Sequence, residues 1–421
     1  MRIEEKLFDF IESAKCAYQA VDAVKSRLAA AGFCEVDIYS DKLVPGGKYF
    51  AVKNGSSIVA FKYKSDMKGF MISASHSDSP SFKLKFNRAP GSDYTKLEVE
   101  RYGGMICYSW LDRPLSLAGR VCIDVGGAVK TALVDIDRDL AVIPSVAIHF
   151  NRGVNDGYKF NPASDMLPCI ATGSVDVLEL VAKELGISPS DILSHDLFLY
   201  IRERGRVIGA DSEMLLAPRL DDLACVFACL EAFISADDSD SCPVLAVFDN
   251  EEVGSETKQG AASSFLCDVL SRIGGEAYGR MLESSFMISA DNAHAKHPNH
   301  PELSDAHNAP VMNGGVVLKY NANQKYTTDA YSAALLKALA KRADVKIQDF
   351  ANRADMLGGS TLGSISNTRV SVPTVDIGLP QLAMHSAVET CGKNDVYDAV
   401  KLLSVFYSSS IKKSGDVTEI V

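Results

Sequence analysis

From residue 205 to the C-terminus, apolar runs of strand length alternate with longer runs of helical spacing. This alternation constrains the fold more than any other feature of the chain. The helical segments are "LDDLACVFACLEAFI", "GAASSFLCDVLSRI", "TDAYSAALLKALAKRA" and "KNDVYDAVKLLSVFYSSSI", and among them lie the strand-like "CPVLAVFDN", "SFMISAD", "VKIQDFA" and "VPTVDIGL". Strands separated by helices predict a sheet covered on both faces, an α/β layered domain. Upstream the pattern differs. Residues 1–33 have helical spacing, and 33–74 hold short extended runs between turns rich in Gly, Asn and Lys. From 82 to 150, "FKLKF", "KLEVERYGG", "MICYSWL", "GRVCIDVGG", "KTALVDID" and "SVAIHF" follow at the close spacing of a β-rich unit; a helix over 171–187 and a strand at "DLFLYIRE" come next. A chain of 421 residues exceeds one small core. The economical parse is an α/β/α layered domain with a mixed sheet, made of residues 1–86 and 205–421 and interrupted by a β-rich insertion at 87–204. The last residues, "KKSGDVTEIV", read as a frayed end.

Charge and composition exclude several functions. A net charge of −11 leaves no basic stripe for a nucleic-acid backbone. No apolar run approaches the about 20 residues of a membrane-spanning helix. The acidic N-terminal segment "MRIEEKLFDFIESAKCAYQAV" reads as an amphipathic surface helix and lacks the layout of a signal peptide. The ten cysteines contain no close C-x-x-C pair, and Cys225 and Cys229 fall at i, i+4 in an apolar run, as core residues do. Reduced thiols and a cytoplasmic location are the expectation.

Chemistry concentrates where apolar strands end. "ISASHSDSPSF" (72–82) ends an apolar run in His76 and, two residues on, Asp78. In an extended chain these share one face, so the carboxylate could orient the imidazole or belong to the same site; a polar turn after a strand looks similar. "PVLAVFDNEEVGSET" (243–257) runs into Asp249, Glu251 and Glu252, acids that are costly to hold together without a positive charge between them. "SFMISADNAH" (285–294) ends at Asp291, and "TVDIGLPQLAMHSAVE" (374–389) ends near His385. "LAPRLDDLACVF" (216–227) places Asp221 and Asp222 at a helix start, where either alone reads as an N-cap. Ligands of open α/β sheets bind at the carboxyl ends of the strands. His76, His385, Asp221, Glu252 and Asp291 together make a sensible nitrogen and oxygen ligand set for two zinc ions, whose charge the three acids largely balance. Glu251 is then left over beside a ligand, placed to take a proton from an activated water.

"HSDSP", "PRLDDL", "DNEEVGS", "SADNAHAKHPN" and "GLPQLAMHS", in this order and spacing, resemble the aspartyl aminopeptidase family of di-zinc metallopeptidases. The resemblance extends to "NGSSIVAF", "YGGMICYSWLDRPLSLAGRV" (102–121) and "SVAIHFNR" (145–152), and so covers nearly the whole chain. It implies that His76 and Asp291 bind one metal, that Glu252 and His385 bind the second, and that Asp221 bridges them. Asp78 would orient His76, and Glu251 would be the general base. By the same resemblance His149 reaches an active site from the neighbouring subunit as a catalytic and substrate contact, and the insertion is a dimerisation domain. Lys319 in "VVLKYNANQKY" matches a substrate-binding lysine that could pair an acidic side chain, although a surface lysine reads the same way. The resemblance further implies peptide substrates with a free N-terminus, Mn or Co as metal substitutes, and homodimers assembling into a closed dodecameric shell.

Two features invite over-reading. His294, His297, His300 and His307 are dense enough to suggest a metal site, but the better-placed ligands already serve two ions. The glycine-rich "RADMLGGSTLGSISNTR" (353–369) lacks the lysine spacing of a phosphate loop. Where this segment usually reads Pro-Cys-Gly in the family, the chain has Leu357-Gly358-Gly359, with Gly359 expected to permit the close approach. The lead expectation is an aminopeptidase for N-terminal residues, acidic ones included. A di-metal N-acyl-amino-acid deacylase or carboxypeptidase would need a carboxylate-binding arginine, for which Arg219 and Arg353 are the candidates. A non-catalytic shell-forming protein has no reason to keep so costly a cluster of acids.

Overall fold

The computed structural model describes residues 1–86 and 93–421, so the expected start of the insertion at residue 87 lies outside the described residues. The chain divides into two compact units. One comprises Met1–Asp78, Gly205–Met384 and Glu389–Val421; the other comprises Ser79–Arg204 and His385–Val388.

The first unit is built on a nine-stranded mixed sheet. Its strands are β1 (Cys34–Glu35), β2 (Lys48–Lys53), β3 (Ser57–Lys62), β4 (Phe70–His76), β5 (Cys242–Phe248), β6 (Phe286–Ala290), β7 (Val316–Tyr320), β8 (Ile347–Ala351) and β9 (Thr374–Gly378), in the spatial order β1-β2-β3-β5-β4-β6-β9-β7-β8. The central run β5-β4-β6-β9 is parallel, while β3 and β7 run against it on either side. Every residue of β4, β5 and β6 is buried, as a sheet covered on both faces requires.

Alternate residues supply two cores. Ile58, Ala60, Met71, Leu245, Val247 and Ile288 face helices α1 (Ile3–Ser13), α2 (Ala17–Ala30), α3 (Leu220–Ser235), α5 (Ala330–Ala343) and α7 (Lys393–Tyr407). Val59, Phe61, Ile72, Ala74, Val244 and Ala246 face α4 (Phe265–Gly274) and α6 (Leu362–Asn367) on the other side. The result is an α/β/α sandwich. A second sheet in this unit orders Arg206–Ile208, Met214–Ala217, Glu389–Gly392, Pro380–Leu382 and Ala293–His294.

The other unit holds an antiparallel sheet in the order Val99–Tyr102, Ser81–Leu84, Ile192–Ile201, Leu115–Asp124 and Val129–Asp135. Phe82 meets Trp110 edge-on in its core at 5.3 Å.

Three local expectations are corrected. Residues 145–150 form no strand. Asp112 takes the amide and hydroxyl of Ser145, the Phe150 amide turns back to Ala147, and Val146, Ile148 and Phe150 stay exposed, so the alternating pattern buries no face. The helix expected over 171–187 is confined to Val177–Leu185, capped by Asp176 through the Leu178 amide and ended by Gly186 in the left-handed region. The C-terminal segment is not frayed: Ile411–Ser414 pairs with Val417–Ile420, and Ile411 and Ile420 enter the core.

Candidate metal centre

His76 is the last residue of β4. It continues the face of Phe70, Ile72 and Ala74 and is 1% exposed. Its Nδ1 lies 3.0 Å from the carbonyl oxygen of Asp78, which can only accept, so Nδ1 donates there and Nε2 is the nitrogen left to serve as a ligand once it gives up its proton. Nε2 points at acids, 3.4 Å from Asp221 Oδ1 and 4.0 Å from Asp291 Oδ1. The Asp78 carboxylate is 3.5 Å from Nδ1 and also accepts the amides of Glu251 and Glu252, at 3.1 and 3.2 Å. One residue thus fixes the imidazole and the turn after β5 that carries both glutamates. Asn250 opens that turn in the left-handed region, and its side-chain oxygen is held by Thr257 and Gln259.

Asp221 and Asp222 precede the regular part of α3, and neither has helical φ and ψ. Neither behaves as a simple N-cap. The Asp221 amide donates to Glu389 Oε2 at 2.9 Å, and Asp222 Oδ2 accepts the His76 amide at 3.2 Å. Asp291 ends the buried strand β6. Lys319, on β7, is 2% exposed and is no surface lysine: Nζ donates to the carbonyls of Asp291 and Asn292 at 2.7 and 3.1 Å and lies 3.8 Å from Asp291 Oδ2.

Ligand-type atoms of His76, Asp221, Asp222 and Asp291 lie within 4.8 Å of one another, as do those of His76, Glu251 and Glu252. Packing acids this densely shifts their titration. Burial pushes Glu251 up to about 8, with Asp291, Asp78 and Asp221 adding to the shift against the opposing pull of His76. Burial likewise raises Asp222, Glu252 and Asp291, each reinforced by neighbouring carboxylates. Burial opposes a charge on His76, yet Asp222, Asp221, Asp78 and Glu251 hold its pKa well above the usual imidazole value. Side chains alone leave this cluster short of positive charge. Oxygen donors with an imidazole that Asp78 orients fit zinc.

The remaining candidates lie as follows. His385 belongs to the second unit; its Nδ1 is 2.5 Å from the Gly104 carbonyl oxygen, which leaves Nε2 as its ligand atom. His149 is exposed in the turn at 148–150 of that unit. Among the described residues, His294, His297, His300 and His307 join no group of three or more metal-ligand side chains; His300 meets Glu302 at 3.2 Å. Both arginines proposed for a deacylase are engaged. Arg219 donates to the carbonyls of Ala14 and Ile11 at the end of α1, and Arg353 forms a bidentate pair with Asp355. In the glycine-rich segment the close approach falls on Gly358, where an added Cβ would lie 1.9 Å from Asn352 Nδ2, while Gly359 has open space.

Sequence reasoning took Asp222 for an N-cap and passed over Glu389 and Asp376; all three are buried and each is hydrogen-bonded to a backbone amide. The available signal was an acid in an otherwise apolar strand, as in "TVDIG".

The profile of the family described as aminopeptidase I zinc metalloprotease (M18) matches residues 10–407. The chain belongs to this family. It is 42% identical over 430 residues to a protein of Clostridium novyi (strain NT) called "Probable M18 family aminopeptidase 2", covering 97% of this chain and 99% of that one. A chain of the "Cryo-EM structure of the Ape4 and Nbr1 complex" superposes with a TM-score of 0.92 at 35% identity, covering 96% of this chain and 85% of its own. The "Structure of S. cerevesiae mApe1 dodecamer" gives 0.84 at 28% identity over 96% of each chain. The M18 chain is therefore a zinc metallo-aminopeptidase, with the layered α/β fold of its structural relatives. No helix among its described residues is long and apolar enough to cross a membrane.

Proposed function

We propose that this M18 enzyme removes acidic residues from the N-termini of peptides at a centre of two zinc ions. His76 and Asp291 would hold one ion, Glu252 and His385 would hold the other, and Asp221 would serve both. Mn or Co can replace zinc in such a nitrogen and oxygen set. Bound zinc supplies Lewis-acid polarisation of the scissile carbonyl and makes water acidic enough to react near neutral pH.

The chain's own residues do the rest. Glu251 takes a proton from the attacking water and returns it to the departing amine. Asp78 keeps Glu251 in reach through its amide and fixes His76 in the tautomer that offers Nε2. Lys319 supplies the cation near the substrate's first side chain, and His149 reaches a neighbouring subunit's substrate. The observation that carries the reading is the arrangement around His76: a buried imidazole whose Nε2 is turned into a group of carboxylates, beside a pair of glutamates hung from the same aspartate.

Assembly into homodimers and then a dodecamer is part of the proposal. It is supported by the dodecameric relative and by apolar surface at Val146, Ile148 and Phe150. The test is a set of Asp-, Glu- and Leu-initiated peptides, each free or N-acetylated, with chelator-treated enzyme as control. Zinc-dependent release of Asp and Glu from the free peptides alone supports the reading. Preference for Leu removes the acidic pocket, and cleavage of acetylated peptides replaces the aminopeptidase chemistry with deacylation.

A further inference from the structure

Strand β9 is buried along its length, yet its middle residue is a carboxylate, Asp376, with 0% exposure. Its hydrogen bonds go to two loops. Oδ2 accepts the amide and the hydroxyl of Thr327, both at 2.6 Å; Oδ1 accepts the hydroxyl of Thr361 at 2.6 Å; and the Asp376 amide donates to Thr328 Oγ1 at 3.0 Å. Thr327 and Thr328 close the connection from β7 to α5, and Thr361 ends the glycine-rich segment before α6. Charge-assisted bonds of this kind are the strong ones. One buried acid ties both connections to the sheet.

These loops adjoin the metal centre. Tyr326, next to Thr327, is 5% exposed, and the Nζ of Lys319 sits 5.1 Å from its ring centroid. Lys319 in turn donates to the carbonyls of Asp291 and Asn292. The α6 side is equally tight: a Cβ at Gly363 would lie 2.7 Å from Ser289 Oγ and 3.0 Å from Asp376 Oδ1. Burying a carboxylate is costly, and apolar residues of similar volume often serve stability as well or better. The clamp fixes where two loops lie.

We propose that Asp376 is a specificity-positioning residue: by holding Thr327 and Thr361 it keeps Tyr326 over Lys319 and the glycine-rich segment in place, and so sets the fit of the substrate's first side chain. The inference rests on the reading that this side chain is bound near Lys319. The hydrogen bonds of Asp376 itself go to Thr327, Thr328 and Thr361 and not to a metal ligand or Glu251, so loosening the clamp acts on substrate binding ahead of chemistry.

The test uses the zinc-loaded enzyme with Thr327→Val, Thr361→Val, Tyr326→Leu and the Thr327→Val/Tyr326→Leu double variant. For each, kcat, KM and zinc content are measured on Asp-, Glu- and Leu-initiated peptides. Loss of one hydrogen bond to a charged acceptor should raise KM for the preferred peptide about tenfold. Turnover should stay within about twofold, zinc content should not change, and the ratio among the three peptides should narrow. Because Thr327 acts through Tyr326, the double variant should be no worse than Tyr326→Leu alone. An unchanged KM, a joint fall in kcat and zinc content, or additive effects of Thr327→Val and Tyr326→Leu would each overturn the clamp. The wild-type order of preference tests the Lys319 reading separately, and an unchanged KM in the variants counts against the clamp whatever that order is.

Discussion

His76 is 1% exposed and its amide and both ring nitrogens face fixed oxygens, whereas His149 stands in a turn where Val146, Ile148 and Phe150 are 56, 49 and 87% exposed. The first histidine is ordered from within its own unit. Asp78 reaches it from the same strand end, and Asp221 and Asp222 reach it from a helix start far away in sequence. The second is flanked in sequence by apolar side chains that the described residues leave exposed, and such surface belongs against another surface. Residues of the first kind should fail by losing metal or chemistry inside one chain. Residues of the second kind should fail through contacts between chains.

The largest expected effect is at a ligand. His76→Ala removes the donor aimed into the acidic group, and both zinc retention and turnover should be lost; elemental analysis and peptide release read the two together. Next comes the base. Glu251→Gln should retain zinc while turnover falls by about two to four orders of magnitude, and full activity in that variant would remove Glu251 from the role. His149→Phe should lower turnover by about tenfold to a hundredfold with zinc content unchanged. Mixed oligomers of His149→Phe and Glu251→Gln chains should regain part of the activity if His149 acts across subunits, and none if it acts within its own.

The smallest effect sharpens the contrast by pH. Glu251, at about 8, and Asp249, raised to about 7 by burial and by Asp78, hold protons in the folded chain that the unfolded chain releases near pH 4. Between those values the folded state binds more protons, so the stability these groups contribute is complete below about pH 4 and is lost as pH rises through 7 and 8. Chelator-treated protein should therefore melt at progressively lower temperature between about pH 4 and 8 and level off above that, while zinc-loaded protein should show a shallower slope, because the positive charge of the ions favours the ionised form of Glu251 beside them. A parallel slope in both forms would break the link between these acids and the metal.

Much of this was legible in the chain because strand ends are abrupt. "FMISASH" and "FMISAD" each turn from apolar to ionisable in one residue, and in the fold β4 pairs with β6, which brings His76 and Asp291 together. Partners brought together by folding were not legible. Glu389 receives the amide of Asp221 across 168 residues, and no local pattern announces that contact. Asp222 and Asp221 are chemically alike in sequence and are told apart only by what each meets in space. The short strand β7 lacks alternation, so the sequence could not separate a substrate-binding Lys319 from a surface lysine; it is buried against Asp291. The turn at 145–150 shows the opposite error: its alternation is that of a strand, but the pattern records apolar spacing and says nothing of whether a face is buried. The C-terminal residues read as a frayed end, but they form a hairpin that Ile411 and Ile420 anchor in the core.

If the acids around His76 form a two-zinc centre, the number of zinc ions per chain will show it. After dialysis against buffered zinc, the wild-type chain and Glu251→Gln should each bind two ions, with a marked loss in Asp221→Ala, which removes the proposed bridge. A single ion in the wild-type chain, or two ions retained without Asp221, would contradict it.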